Sequence, residues 1–199
     1  MKIGLTGSIA CGKSTVSAFL RELSYPVVDA DAISHALTAP GGQALSAIRA
    51  VFGDGVFTAE GALERRELGR IVFASPDKRA QLNAILHPMI LEEIDRQLHA
   101  YDAPGHIVFG DVPLLYECSM EARFDRIWVV SAARETQIER LCARDGLSRD
   151  EALQRIESQM PLEEKCRRAD QVIHTDGSIA ATQALVLELL RDPAQRRQA

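Results

Sequence analysis

The segment Gly7-Ser8-Ile9-Ala10-Cys11-Gly12-Lys13-Ser14 fits the spacing G-x-x-x-x-G-K-[ST], and it constrains the fold more than any other feature. It follows the apolar run Ile3-Gly4-Leu5-Thr6 and precedes residues 13–23, where Val16, Phe19, Leu20 and Leu23 form one helical stripe. A strand, a glycine-rich loop and a helix in that order gather backbone N–H groups and the positive end of the helix around an anion. Glycines let the loop approach phosphate oxygens without a Cβ in the way. Lys13 then reaches the β- and γ-phosphates of a nucleotide, and the Ser14 hydroxyl is placed to ligate Mg²⁺. The competing reading, a turn that only caps a helix, does not account for the preceding strand.

The rest of the chain repeats the alternation of short apolar runs and helical stretches. Residues 26–29, 107–109, 127–130 and 171–174 read as strands, and 179–190 as a closing helix. This order predicts an α/β fold, a parallel sheet with helices on both faces. The middle departs from it. Residues 44–52, 64–73 and 77–99 read as helices, broken by Gly41-Gly42, Gly53-Asp54-Gly55 and Ser75-Pro76. Residues 134–168 form a second, charge-rich helical region interrupted at Gly146 and Pro161. The expected organisation is a nucleotide-binding core of 1–31, 102–133 and 169–199, a helical insert of 32–101 that binds an acceptor, and a lid of 134–168. The polar tail, 191–199, is expected to fray.

Composition narrows the functional classes. With 46% apolar residues in 199, the chain can bury a core, and its net charge of −5 is spread without a basic block. That excludes a surface that tracks a nucleic-acid backbone, so the phosphate site is built locally. The four cysteines, at 11, 118, 142 and 166, have neither C-x-x-C nor zinc spacing. They read as reduced thiols of a cytoplasmic protein. No apolar run reaches the length of a membrane span or a signal-peptide core. Cys11, beside a lysine and a helix start, is either a small filler or a thiol of lowered pKa.

Several charged residues are candidates for chemistry. Asp29 and Asp31 follow the second strand, at the sheet edge where ligands bind, and one of them could accept a hydrogen bond from an attacking hydroxyl. Asp31 otherwise serves as the N-cap of a following helix. Asp111, after the strand at 107–109, takes the place of a Walker-B aspartate that holds Mg²⁺ through water; otherwise it forms a turn. Arg140 and Arg144 share one helical face with Arg134 nearby. They either stabilise charge on a moving phosphoryl group or form a salt-bridged surface with Glu139 and Asp145. Arg65, Arg66 and Arg70 either bind a substrate anion or cover the insert.

In these motifs the chain resembles the dephospho-CoA kinase family from end to end. The similarity lies in Ile3 to Gly7 with Gly12-Lys13-Ser14-Thr15-Val16, Asp29-Ala30-Asp31, and Leu63-Glu64-Arg65-Arg66-Glu67-Leu68. It continues through Ile71-Val72-Phe73, Leu86-His87-Pro88-Met89-Ile90 and Val112-Pro113-Leu114-Leu115-Tyr116-Glu117. Thr136 to Arg140, Arg144-Asp145, Gln159, Ala169 to Ile173 and Gly177 complete it. The phosphate loop is shared by many unrelated enzymes; the H-P-x-I and V-P-L-L-x-E elements, in this order, are far more discriminating. Two departures stand out. Ala10 and Cys11 replace a frequent Gly and Ser, and His174-Thr175 replaces a frequent Asp-Asn.

The resemblance implies a P-loop kinase that transfers the ATP γ-phosphate to the ribose 3′-hydroxyl of dephospho-CoA, with ATP and Mg²⁺ required. By matching motif, Asp31, Lys13 and Arg140 are the catalytic residues. ATP is held by Gly7, Ala10, Cys11, Gly12, Lys13, Ser14, Thr15 and Arg144. The acceptor is held by Asp31, Arg66, His87, Pro113, Leu114 and Leu115, and Mg²⁺ by Ser14 with Asp111. The same turn at His174-Thr175 faces adenine in this reading. The expected protein is a cytoplasmic monomer or weak homo-oligomer that binds neither membrane nor nucleic acid. Two other readings compete: another P-loop small-molecule kinase, and an ATP-binding regulator without an acceptor. A GTPase switch is disfavoured, since no N-K-x-D motif is present.

Overall fold

The computed structural model describes residues 1–192; residues 193–199, which include most of the tail expected to fray, lie outside the described residues. Five strands form one parallel sheet: β1 (Lys2–Gly7), β2 (Val27–Asp29), β3 (Val108–Asp111), β4 (Arg126–Ser131) and β5 (Gln171–His174). Their order is β2-β3-β1-β4-β5. β1 is central, with Leu5 opposite Asp111 of β3 and opposite Trp128 of β4. Nine helices alternate with these strands along the chain among the described residues, so the expected α/β class holds. By contacts the chain divides into two compact units, Met1–Val28 with Leu98–Ala199, and Asp29–Gln97.

The first unit carries the sheet. A strand buried on both faces has no polar side to show, and Ile3, Leu5, Phe109, Trp128, Val130 and Ile173 are accordingly all at 0% exposure. They pack with Val16 and Leu20 of α1 (Lys13–Glu22) and with Val186 of the closing helix, Ile179–Arg191. The Phe109 and Trp128 rings meet edge to face at 5.4 Å.

The second unit is helical. It contains α2 (Ala30–Leu37), α3 (Leu45–Phe52), α4 (Arg65–Ala74) and most of α5 (Pro76–Ala100). A 3₁₀ turn at Asp54–Val56 and a single antiparallel bridge between Phe57 and Leu63 join α3 to α4. The sequence-based helices lie within one or two residues of α3, α4 and α5. Pro88 sits inside α5 without ending it. The alternative of Asp31 as the N-cap is corrected. Asp29 is the N-cap of α2, its Oδ1 accepting from the amides of Asp31 and Ala32 at 3.0 Å each. Asp31 instead sits in the first turn.

Three further helices of the first unit follow β4: α6 (Arg134–Asp145), α7 (Arg149–Glu157) and α8 (Leu162–Arg168), with α9 (Ile179–Arg191) closing the fold. Gly146 ends α6 at φ 67°, and Ser148 and Glu151 form a reciprocal capping box that starts α7. Ile138, Leu141 and Ala152 make a small core between α6 and α7, against which Ile9 and Ala10 pack.

Candidate active site

The loop between β1 and α1 has the shape its sequence requires. Gly12 has φ 85°, the left-handed region that favours glycine. A Cβ on Gly7 would lie 2.6 Å from the Val130 carbonyl oxygen, so only glycine fits where the loop leaves the sheet. Ala10 also has a positive φ, 60°. A non-glycine residue in that region costs roughly 1–2 kcal/mol. This gives a physical reason for the glycine that the resemblance leads one to expect there.

The carbonyls of this loop are engaged from behind. Gly7 O accepts from Lys165 Nζ at 3.2 Å, and Ile9 O from Gln137 Nε2 at 2.6 Å. Ala10 O accepts from Arg140 Nη1 at 3.3 Å, and Cys11 O from Thr175 Oγ1 at 2.7 Å. The C=O and N–H of one planar peptide point in opposite directions. Holding the carbonyls of Ile9, Ala10 and Cys11 outward therefore aims the amides of Ala10, Cys11 and Gly12 the other way, and those of Ala10 and Gly12 are left for an anion, as a nest requires. The Ser8–Ile9 peptide is reversed: Ser8 O takes the Cys11 amide at 3.3 Å, and the Ile9 amide donates to Gln159 Oε1 at 2.8 Å. Ser8 Oγ donates to the same oxygen at 3.0 Å.

A cavity of about 540 Å³ beside the loop is lined by Gly12, Ser14, Thr15, Arg140, Arg144 and Thr175, among others. Its size suits a nucleotide. Ser14 is exposed at the start of α1. Lys13 is ion-paired with Asp111, whose other oxygen accepts from Ser17 Oγ. Asp111 is 4% exposed and is the last residue of β3, which corrects the turn-forming alternative.

The arginines separate clearly. Arg140 does not pair with Glu139. Its guanidinium donates to Thr175 Oγ1 at 3.0 Å and to the Thr175 carbonyl at 2.6 Å. Arg144 lines the cavity but is bidentate on Asp145, at 2.8 and 3.0 Å. That hydrogen bonding holds the Asp145 carboxyl below its usual range. Arg134 is ion-paired with Glu157.

In the Asp29–Gln97 unit, Arg65 donates to the His35 carbonyl and to Thr38 Oγ1, at 3.1 and 2.8 Å. Arg70 is held by Glu67 at 2.6 Å. Arg66 is exposed, and its side chain makes no hydrogen bond or ion pair with another described residue. His87 is exposed, which corrects the alternative of a buried imidazole. In the first unit, Leu114 is 42% exposed, Leu115 is at 0%, and the Pro113 carbonyl accepts from Thr6 Oγ1 at 3.0 Å.

Cys11 is 1% exposed, and burial pushes its thiol pKa up, against smaller opposing effects of Lys13 and Lys165. It is a filler under the loop. The other three cysteines are free as well.

Sequence reasoning missed the tethers. Gln137 and Gln159 appeared only as matching letters, Thr175 only as a departure in a turn expected to face adenine, and Lys165 not at all. Asp176 was also missed: its Oδ1 accepts from the Ala133 amide at 2.7 Å and from Thr136 Oγ1 at 3.0 Å, fixing the start of α6. A polar residue that serves a backbone group 43 to 164 positions away leaves no local pattern.

The comparisons with known proteins agree with this geometry. The family model described as dephospho-CoA kinase matches residues 1–181. A dephospho-CoA kinase of Symbiobacterium thermophilum is 52% identical over 185 residues, covering 92% of this chain and 77% of the relative. One from Bacillus cereus is 47% identical over 191 residues, covering 96% of each. The crystal structure of TT1252 from Thermus thermophilus superposes with a TM-score of 0.81 at 36% identity, covering 96% of this chain and 97% of that one. A full-length match of this kind, on a chain with this phosphate loop, shows that the protein belongs to the dephospho-CoA kinase family.

Proposed function

We propose that this chain transfers the γ-phosphate of ATP to the ribose 3′-hydroxyl of dephospho-CoA, giving coenzyme A and ADP. The observation that carries the reading is the family match over residues 1–181, nearly the whole described chain. In this proposal the 7–12 loop cradles the phosphates, with Lys13, Ser14 and Thr15 at the start of α1. Lys13 exchanges Asp111 for the β- and γ-phosphates as the triphosphate enters. Arg140, whose guanidinium lines the same cavity as Ser14 and Thr15, offsets charge on the transferring group, and Arg144 assists it.

Asp31 orients the 3′-hydroxyl and takes its proton. The commitment of Asp29 Oδ1 to the α2 cap supports assigning this role to Asp31 rather than Asp29. Arg66 and His87, both exposed, and the Pro113-Leu114-Leu115 turn bind the acceptor. The uncommitted guanidinium of Arg66 suits one of its phosphates.

The residues present fit Mg²⁺. One exposed hydroxyl, Ser14, and one carboxylate, Asp111, suit an ion that keeps waters and takes its other ligands from phosphate. Bound there, Mg²⁺ would neutralise charge on the phosphate oxygens. Among the described residues no helix is long and apolar enough to cross a membrane. We place the enzyme in the cytoplasm, as a monomer or weak homo-oligomer.

ADP release in the presence of ATP and Mg²⁺, with a panel of acceptors, tests the function. Selective stimulation by dephospho-CoA is expected. Stimulation by a nucleoside monophosphate or a sugar acid instead would assign another P-loop kinase activity, and slow hydrolysis indifferent to every acceptor would assign a regulator.

A further inference from the structure

We propose that Lys165 is a positioning residue for phosphoryl transfer: paired with Glu117, it sets the spacing between the phosphate loop and the turn that follows β3. The inference rests on the kinase reading for its kinetic readout. Lys165 lies in α8 at 0% exposure, among the largest fully buried side chains of the protein. Its ammonium meets Glu117 Oε1 at 2.8 Å, the Pro113 carbonyl at 3.1 Å and the Gly7 carbonyl at 3.2 Å. An ammonium has three donor protons, and here each has an acceptor. Burying this charge carries a desolvation cost that its contacts offset only in part, so stability alone is a weak reason for a lysine here.

The three acceptors lie where two strands part. β1 and β3 run in register as far as Leu5 opposite Asp111, and the last rung is the Val112 amide on the Leu5 carbonyl at 2.9 Å. Beyond it one chain becomes the phosphate loop and the other the Pro113-Leu114-Leu115 turn. Proline has no N–H to continue the ladder. Lys165 and the Thr6 hydroxyl replace it, both on the Pro113 carbonyl, and Lys165 alone bridges that carbonyl to Gly7. Glu117 holds the ammonium and also accepts from the Met160 amide at 3.1 Å, anchoring the segment between α7 and α8 to the same point. The final glutamate of V-P-L-L-x-E thereby acquires a task that its sequence context did not reveal.

A clamp at this place acts on alignment more than on binding. The phosphate loop keeps its other tethers, Gln137, Gln159, Arg140 and Thr175, when Lys165 is removed. Nucleotide affinity should therefore survive, while the spacing between the phosphates and an acceptor held by the turn relaxes. A displacement near an ångström lowers an in-line transfer by about a hundredfold.

The test is the pair substitution Lys165→Met with Glu117→Met, which leaves no charge unpaired, beside Lys165→Arg, whose planar fork keeps the charge but not the three-way geometry. Binding of a non-hydrolysable ATP analogue is measured by calorimetry, and kcat is expressed per nucleotide-binding site. We expect nucleotide Kd within about threefold of wild type and kcat per site lower by about tenfold or more. A purely structural role lowers the number of competent sites and leaves kcat per site unchanged. Wild-type kcat per site in either folded variant overturns the inference, and Lys165→Arg carries the test should the pair variant not fold. The wild-type control separates the two claims. Absence of stimulation by dephospho-CoA there defeats the kinase reading, whereas an active wild type matched by its variants defeats only the role of Lys165.

Discussion

Thr175→Val removes a tether of the phosphate loop while keeping its volume. Thr175 is 5% exposed, and its hydroxyl donates to the Cys11 carbonyl at 2.7 Å while accepting from Arg140 at 3.0 Å. A neutral hydrogen bond contributes about 1 kcal/mol net and one to a charged group about 1.5–3 kcal/mol. Their joint loss is thus about 2.5–4 kcal/mol. For a domain of this size that lowers Tm by roughly 5–16 °C. If about 1.4 kcal/mol of it comes from loop order that the nucleotide uses, ATP Kd rises about tenfold. Thr175→Ser keeps the hydroxyl and should behave almost as wild type. Thermal unfolding and calorimetric ATP binding give the two numbers. A valine variant with unchanged Tm and Kd would refute the view that side chains behind the loop organise it.

Other outcomes follow from the same geometry. Asp31→Asn should lower kcat by about a hundredfold or more while ATP still binds, read by turnover beside nucleotide affinity; near-wild-type kcat would remove its role. Ala10→Gly relieves the positive φ but loosens the unfolded chain, for a net stabilisation of up to about 1 kcal/mol in denaturant unfolding. Asp176 has its carboxyl pKa lowered by the Ala133 amide, with smaller help from Thr136. A depressed folded-state pKa contributes stability above the ordinary Asp value of about 3.9 and loses it as pH falls through the folded value. Asp176→Asn should therefore be less stable than wild type near pH 7, and the two unfolding curves should converge in acid.

What the sequence made legible follows from how local each signal is. β1, the phosphate loop and α1 were read within a residue because periodicity, glycines and Lys13-Ser14 all lie in one stretch. The helices of the insert were legible for the same reason. Asp29 and Asp31 were harder: both precede a helix, and only backbone geometry shows which one caps it. Asp111 was read as following the strand, whereas β3 runs on through Gly110 and ends on it. The tethers Gln137, Gln159, Lys165 and Thr175 were beyond local reading. Each serves a loop carbonyl or amide from 128 or more residues away, and nothing in their own neighbourhood marks that task.

The central claim concerns where the phosphate goes. Incubation of the enzyme with ATP, Mg²⁺ and dephospho-CoA, followed by ³¹P NMR of the nucleotide product, answers it directly. The account predicts a new monoester on the ribose 3′-oxygen formed one for one with ADP. Inorganic phosphate as the matching product, with dephospho-CoA unchanged, would contradict it.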